Sequence, residues 1–503
     1  MKYLIIITLF ATLISHNAGA QTLSDAYLLS NQRVNGTARA GAMGNAFGAL
    51  GGDITSLSIN PAGIGIYRTG EFVFTPTITS NNSTLSLNGN SYTDSKFQVK
   101  INNLGLTGLV KINDGNSGII SFNYGFGYNN ILDYNQNFYG SNANSQTSFL
   151  DGIVNYANSE ALTNGYLNQN IKDVQYRDWP TKLAWDTYLL NPATNSSGND
   201  IDGQYKSLLY TNEAVDQRKS YTQTGGINEF TFTGGLNINH QLYLGATIGI
   251  QNVDLSQRTE YSETFNNNGA GNTNSYVFGE NTSLKGTGYN FKFGAIYKPV
   301  DNIRLGASIH TPTYYTLNEE KNIWINSQLL ENYSSNGTNL YDYNFFSPWK
   351  AVLSGAYVFG KMGLISVDAE YLNYASMKYQ RSSNSNDNLN DVNTQISNGF
   401  ENALNLRIGG ELKVTPQFSL RAGYEMYPSA QKNSATAAIS PLALDNSQIY
   451  ALGLGYNSNK FFTDISFRNT VNKYALNEVQ PNFENLKLTN SNNKILFTVG
   501  FKF

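Results

Sequence analysis

The chain has 503 residues and no cysteine. Disulfide scaffolds and Cys-ligated zinc or iron–sulfur centres are therefore excluded. Charge is scarce too: Asp, Glu, Lys and Arg make up 14 %, against about 25 % in an ordinary soluble domain. Aliphatic residues do not fill the gap, because the mean hydropathy is −0.35. Spans of about 20 apolar residues, which a helical membrane protein needs, are missing. A basic surplus is missing as well: the formal net charge is −3, so no positive field invites nucleic acid. What fills the chain is 46 Gly, 34 Tyr and 27 Phe, with abundant Asn, Ser and Thr. That is too aromatic for a disordered polar chain. A sequence polar on average, rich in aromatics and poor in charge suits a β-barrel that meets lipid outside and water inside.

The N-terminus reads as an address. Met1-Lys2 is a minimal basic start, Tyr3 to Ile14 is an apolar run too short to span, and Ala18-Gly19-Ala20 offers small residues to a signal peptidase. Cleavage is expected after Ala20. Cysteine is absent, so a lipid anchor is not available. Without a helical anchor, a membrane location requires a closed barrel, since open sheet edges cannot face hydrocarbon.

From residue 70 onward, runs of about ten residues alternate with period 2. Leu404, Leu406, Ile408, Gly410, Leu412 and Val414 interleave with Asn405, Arg407, Gly409, Glu411 and Lys413. Phe418, Leu420, Ala422, Tyr424 and Met426 interleave with Ser419, Arg421, Gly423 and Glu425. The same holds for Tyr289–Lys298 and for Ile495–Phe503. Lys or Arg at the mid-bilayer lipid face costs about 2–4 kcal/mol, so the apolar parity is assigned outward and the charged parity inward. Fourteen strands are expected: 70–79, 97–112, 117–131, 226–239, 241–256, 284–299, 301–316, 347–360, 361–376, 400–414, 417–430, 447–457, 460–470 and 494–503. In 97–112 the apolar parity shifts near Asn102-Asn103, which predicts a β-bulge. Short connections (Asn113–Asn116, Asn239-His240, Pro299–Asn302, Thr415-Pro416, Asn457–Asn459) alternate with long ones (80–96, 132–225, 257–283, 317–346, 377–399, 431–446, 471–493). Short periplasmic turns against long outer loops are the outer-membrane arrangement; a soluble sandwich has no reason for it.

Residues 21–69 do not alternate. They include the small-residue run Gly36–Asp53, with Phe47 inside it, and then Asn60-Pro61-Ala62-Gly63-Ile64-Gly65. A nucleotide loop is excluded by the lack of G-K-[ST] and of a preceding strand; a plug in the barrel mouth fits better. The glycine-rich run, the Asp53 region and Asn60-Pro61-Ala62-Gly63 resemble the N-terminus of FadL-like outer-membrane transporters, the long-chain fatty acid and aromatic hydrocarbon channels. The local match covers about residues 35–70; the rest is similar only in layout, including the terminal Phe503. The resemblance implies a fourteen-stranded all-β barrel with an N-terminal hatch (21–69). It also implies that Asn60, Pro61, Ala62, Gly63 and Ile64, with Phe47, gate or bind substrate. An inward kink in the third strand is implied too, opening the wall towards lipid, and Gly125 and Gly127 are its candidates. Asn60 and Pro61 equally suit a turn joining hatch to barrel.

In the long 132–225 insertion, Phe149, Leu150, Ile153, Val154 and Ala157 recur at helical spacing, as do Leu183, Thr187 and Leu190 beside Trp185 and Tyr188. Helices over the barrel mouth are expected. His240 falls in a periplasmic turn and His310 near the outer end of strand 7, too far apart for one catalytic site. The run Asn384–Asn393 lacks the spaced ligands of a calcium loop and reads as a solvated loop tip. The inward charges Lys292, Arg304, Asp368, Glu370, Arg407, Glu411, Arg421, Glu425, Asp464 and Arg468 are of mixed sign, either a filter or cross-strand pairs stiffening the wall. The expectation is a non-enzymatic outer-membrane channel for hydrophobic small molecules, with no cofactor, no metal and no nucleic-acid partner. Its partners would be membrane lipids and, through Phe503, the barrel-assembly machinery, with a monomer favoured. A surface receptor (for haem, with His310 or a loop Tyr as ligand) and a general porin are the alternatives.

Overall fold

The computed structural model describes residues 21–503 apart from 88–89, 114, 116, 211–212, 266–273, 383–387, 433–442, 445 and 477–485. The expected leader, 1–20, lies outside the described residues. Fourteen antiparallel crossings form the wall. They are β1 Glu71–Leu87, β2 Asn90–Lys111, β3 Ile119–Asp133, β4 Val215–Ile238, β5 Leu242–Phe265 and β6 Asn274–Val300. Then come β7 (Ile303–His310 continued by Tyr314–Gln328), β8 (Asn332–Phe346 continued by Lys350–Val358), β9 Gly363–Asn373 and β10 Asn402–Lys413. The last four are β11 Phe418–Tyr427, β12 Ser447–Asn457, β13 Phe461–Leu476 and β14 Leu486–Lys502. β14 pairs with β1 from Lys502↔Glu71 to Lys487↔Ser86, so the sheet closes. The interruptions in β7 and β8 fall at Pro312 and Pro348, where the ladder loses a donor.

Side-chain exposure confirms the parity assignment. On β10, Leu404 and Ile408 are 50 % and 45 % exposed while Arg407 and Glu411 are 2 % and 7 % exposed. The bulge is also where the pattern placed it: Thr75 pairs with Asn103 and Pro76 with Ile101, so Asn102 is the extra residue. Both Asn102 and Asn103 then face the interior.

Several expected outer loops are ladder instead. β1 and β2 stay paired as far as Leu87↔Asn90, and Tyr314–Gln328 pairs with Asn332–Phe346 throughout. Above the bilayer the outer face meets water and the inner face is covered by the lid, which buries the polar Asn81 and Ser83 as well as Leu85, so runs such as Asn81-Asn82-Ser83-Thr84 lose the hydropathy period. The backbone bonds do not need it. In the 132–225 insertion, Gln136–Ser145 pairs with the outer part of β4, which the loop assignment missed.

Residues 21–67 fill the barrel. They form α1 Leu23–Ser30, α2 Ala38–Ala42, α3 Ser56–Ile59 and a 3-10 helix Pro61–Ile66. Over the mouth lie α4 Phe149–Ser159, α5 Asn164–Leu167 and α6 Trp179–Asp186. α4 starts on a Ser148–Asp151 capping box. It buries Phe149, Leu150, Ile153 and Ala157, the face its spacing predicts. The second pattern stops at Asp186; Tyr188 takes a left-handed turn at φ 58 and Leu190 opens a small hairpin, Leu190–Thr194 with Asp200–Ser207. The presumed loop tip 384–393 is partly outside the described residues, but Asn390–Gly399 is helical (α7).

Candidate functional site

The lower half of the lumen is an interlock between the hatch and the inward parity of the wall. Arg39 of α2 reaches Glu411 at 3.1 Å. Glu411 also pairs with Arg421 at 2.7 Å, and Arg421 with Asp464 at 2.6 Å. Arg468 pairs with Glu425, which accepts from the Asn45 amide. Asp368 accepts from the Gly48 amide at 3.0 Å, and Glu229, paired with Lys292 at 2.6 Å, accepts from Ser58. The inward charges thus brace neighbouring strands, as one sequence reading held, and hold the hatch as well. Glycines let the two surfaces touch. A Cβ at Gly409 would overlap the Met43 carbonyl and one at Gly423 the Gly44 amide. Gly44 itself has φ 58, a conformation that favours glycine.

Each residue singled out by resemblance is buried in this interlock. Asn60 caps the 3-10 helix through its side chain, and its Nδ2 donates to Gly48 O at 2.6 Å and Ala295 O at 3.1 Å. The Pro61 carbonyl lies against Gly245, the Gly63 Cα against Gly51, and Ala62 packs with Tyr243 and Ile296. The Ile64 carbonyl accepts from Asn123 at 3.0 Å. Phe47 lies beneath the Arg39 guanidinium, 5.4 Å from ring centroid to Cζ. Asn60, Pro61, Ala62 and Ile64 are thus wall contacts, Gly63 packs inside the hatch, and Phe47 belongs to a cluster that includes Ala356 of the wall.

Gly125 and Gly127 do face inward, against Leu57 and Ile64. The ladders through both are unbroken on either side, to Thr107 and Gly105 of β2 and to Thr233 and Thr231 of β4. The irregularity in β3 comes later, between Asn130 and Leu132. There Ile131 turns into the lumen, and its carbonyl accepts from the Arg33 amide at 3.1 Å.

That turn splits the wall. β2 pairs with β3 only up to Asn103↔Asn129, yet β2 runs on to Asn90. Beyond Asn103 its β3-facing edge has no ladder partner among the described residues. Phe97, Val99 and Ile101 in this stretch point outward and are 67 %, 66 % and 48 % exposed, so the seam opens within the lipid-facing belt. Side chains bridge it from inside. Lys100 pairs with Asp133 at 2.5 Å, Lys96 donates to Asn137 at 3.2 Å, and the Tyr92 hydroxyl donates to Ser141 O at 2.9 Å. In hydrocarbon an unpaired edge is tolerated only where it lines a cavity or is covered by protein.

The upper lumen is apolar. Leu23, Ala26 and Leu29 of α1 pack with Ile131, Tyr134, Ile227, Tyr315, Tyr343 and Phe400. Tyr27 stacks on Phe400 at 5.7 Å. Above it, a second apolar cluster joins α4 and α6 to Tyr261, Phe265 and Tyr276 of the wall. In this lid the Tyr156 and Tyr166 hydroxyls both donate to Asp178, at 2.6 and 2.7 Å. Burial, with that bond, holds the Tyr156 phenol above its ordinary range. α1 lies in the stretch without alternation, and its one sequence signature is the capping box formed by Thr22 and Asp25, a Thr-x-x-Asp pattern.

His240 sits in its periplasmic turn, its Nδ1 3.1 Å from Asn237 Nδ2. His310 is a correction. β7 continues to Gln328, so His310 lies mid-strand. It is buried beneath the hatch with Nε2 2.9 Å from Ile59 O, and outer loops cannot present it to haem. Beside it is a small polar cavity lined by Arg33, Lys292, Lys350, Glu229, Glu370 and Arg407. A greasy molecule has no apolar way down through this region.

The model of the family described as "Outer membrane protein transport protein (OMPP1/FadL/TodX)" matches residues 210–503. No curated protein matches. Among solved structures, a Pseudomonas aeruginosa FadL homologue is 13 % identical, with a TM-score of 0.55 over 94 % of this chain and 99 % of that one. The TodX monoaromatic hydrocarbon channel deltaS2 mutant is 13 % identical, with a TM-score of 0.51 over 93 % and 98 %. The Pseudomonas putida toluene transporter TodX is 12 % identical, with a TM-score of 0.48 over 94 % and 98 %. At such identities the first two structures speak for the fold alone, and the family model speaks for membership: the chain belongs to the OMPP1/FadL/TodX family of outer-membrane transport proteins.

Proposed function

We propose that this protein admits hydrophobic small molecules, long-chain fatty-acid-like or aromatic, passively across the outer membrane. They leave sideways through the seam between β2 and β3. One observation carries the reading: the β2–β3 ladder ends at Asn103↔Asn129 while the outward face beside it is still apolar. The lid core offers a landing surface, the upper lumen an apolar chamber, and the polar lower lumen turns such a ligand towards the wall. α1 occupies the chamber, so the hatch must yield before a ligand can enter. Asn60, Pro61, Ala62 and Ile64 act in this scheme as anchors that hold the hatch shut, since they pack on the wall, and Gly63 and Phe47 support them from within the hatch. TodX is a monoaromatic hydrocarbon channel, which places aromatic hydrocarbons beside fatty acids among the compounds to test. Phe503, 71 % exposed at the periplasmic rim, is the proposed contact of the barrel-assembly machinery.

The test uses the cysteine-free background. Cells carrying Lys100→Cys should take up labelled oleate or toluene, and a bulky maleimide on that cysteine should stop uptake. The same label on Gly355→Cys, which faces open space, should leave uptake intact. Uptake that survives the block at position 100 refutes lateral exit; uptake equal to that of cells lacking the protein refutes the transport reading altogether.

A further inference from the structure

The polar cavity beside His310 carries a charge that its own lining does not balance. It lies where Pro312 and Pro348 break the ladder, with Thr311, Thr313 and Ser347 on that side. Its volume is ≈ 40 Å³, which suits a small ion or a water or two rather than a chain molecule. Four cations line it, Arg33, Lys292, Lys350 and Arg407, against two carboxylates, Glu229 and Glu370. Both carboxylates are engaged. Glu229 holds Lys292 at 2.6 Å, and Glu370 holds Arg407 at 3.4 Å.

The surplus falls on Lys350 and Arg33. Lys292, His310 and Lys350 form one inward row across β6, β7 and β8. The next strand offers Leu372 opposite Lys350, so no carboxylate stands beside this lysine in the row. His310 brings no negative charge, and its Nε2 donates to Ile59 O at 2.9 Å. Among the described residues, the Lys350 ammonium makes no hydrogen bond and no ion pair. Arg33 has no carboxylate partner either. Its Nη1 donates to Ser447 Oγ at 2.8 Å, and its guanidinium lies 4.3 Å from the Tyr427 ring centroid. Unused donors remain on the same lining. Arg407 is 2 % exposed, yet its Nε and Nη2 meet no hydrogen-bond acceptor, Asp368 being 3.7 Å away; the Arg33 Nε meets none either. A buried charge without a counter-charge is costly, and so is each buried donor left bare.

We propose that this cavity is a binding site for one small monatomic anion, chloride in an ordinary medium, held between Lys350 of the wall and Arg33 of the hatch. The excess of cations selects an anion, and the small volume selects a halide over an oxyanion. The ion joins two parts of the molecule. Arg33 follows α1, and its amide donates to Ile131 O at the β3 turn. The site therefore ties the hatch to the wall at the level between the apolar chamber and the lower interlock.

Full-length protein is purified in detergent with sodium gluconate, and chloride then replaces gluconate at constant ionic strength. The unfolding temperature should rise by several degrees and saturate. Lys350→Met should lose that rise, whereas Lys361→Met, in the exposed β8–β9 turn, should keep it. In a second measurement on the unaltered chain, crystals soaked in bromide should show an anomalous peak in the cavity, between Lys350 Nζ and the Arg33 guanidinium. No chloride-dependent rise, an equal rise in Lys350→Met, or bromide confined to the surface would overturn the proposal. Displacement of the buried bromide by octanoate would overturn it as well, by giving the site to a carboxylate.

Discussion

Arg421 shows what single residues do in this lumen. It holds Glu411 and Asp464 at once, and Gly455 makes room, because a Cβ there would overlap both Arg421 and Asp464. Breaking a buried pair from one side costs about 3–5 kcal/mol. Arg421→Met is therefore expected to lower the unfolding temperature in detergent markedly, and Gly455→Val to do so without removing a charge. An unchanged melting curve for both would mean that the pairs are solvated. Asn102 is a second case. Its Nδ2 donates to the carbonyls of Asn35 and Gly36 at 2.9 and 2.7 Å, and Asn102→Leu leaves both buried acceptors bare, at about 1–3 kcal/mol each. Parity in the sequence put Arg421 inside and located the bulge at Asn102. It could not name partners, because these come from strands 10 to 43 residues away or from the hatch.

Among the elements, the hatch touches the wall backbone to backbone at its turn Met43–Gly44, against Gly409 and Gly423. Gly423→Val has no space for its side chain and should push that turn off the wall. The expected readout is a rise in single-channel conductance in planar bilayers; a silent channel would show that the remaining anchors suffice. At the seam, Lys100→Met removes the pair with Asp133 and should speed uptake of hydrophobic substrate, measured as initial rate, without raising ion current. The strands were legible wherever lipid imposed period 2 on them. Their outer extensions were not, since along the ladder of Tyr314–Gln328 with Asn332–Phe346 the apolar parity turns inward, with Tyr315, Leu317, Ile323 and Ile325 buried, and Glu319 and Lys321 interrupt it. Gly125 and Gly127 show the opposite failure. Their inward direction was readable, but glycine in a strand serves a bend or a close neighbour equally well, and here Leu57 and Ile64 are the neighbours.

At the scale of the molecule, fourteen crossings and both strand ends at one rim followed from parity and from short turns alternating with long connections. The family followed from a glycine-rich run and Asn60–Gly63. Which residues would touch a ligand did not follow: the gating candidates sit in the packed interlock of hatch and wall, and no period in the sequence marks a ligand contact. Deleting residues 22–66 should convert the barrel into an open pore. Conductance after reconstitution should then be large and steady, whereas the full chain should pass little current; similar currents from both would mean that the hatch does not occlude. The chain's direction through the barrel has a consequence for its birth. Gln21 is buried in the outer half, the path descends to Gly70 at the inner rim, and the final strand is zipped to the first. The last seam to be sewn therefore encloses a lodger already indoors. A nascent cylinder that closed early would have to let its own beginning climb in through a doorway blocked by the lid.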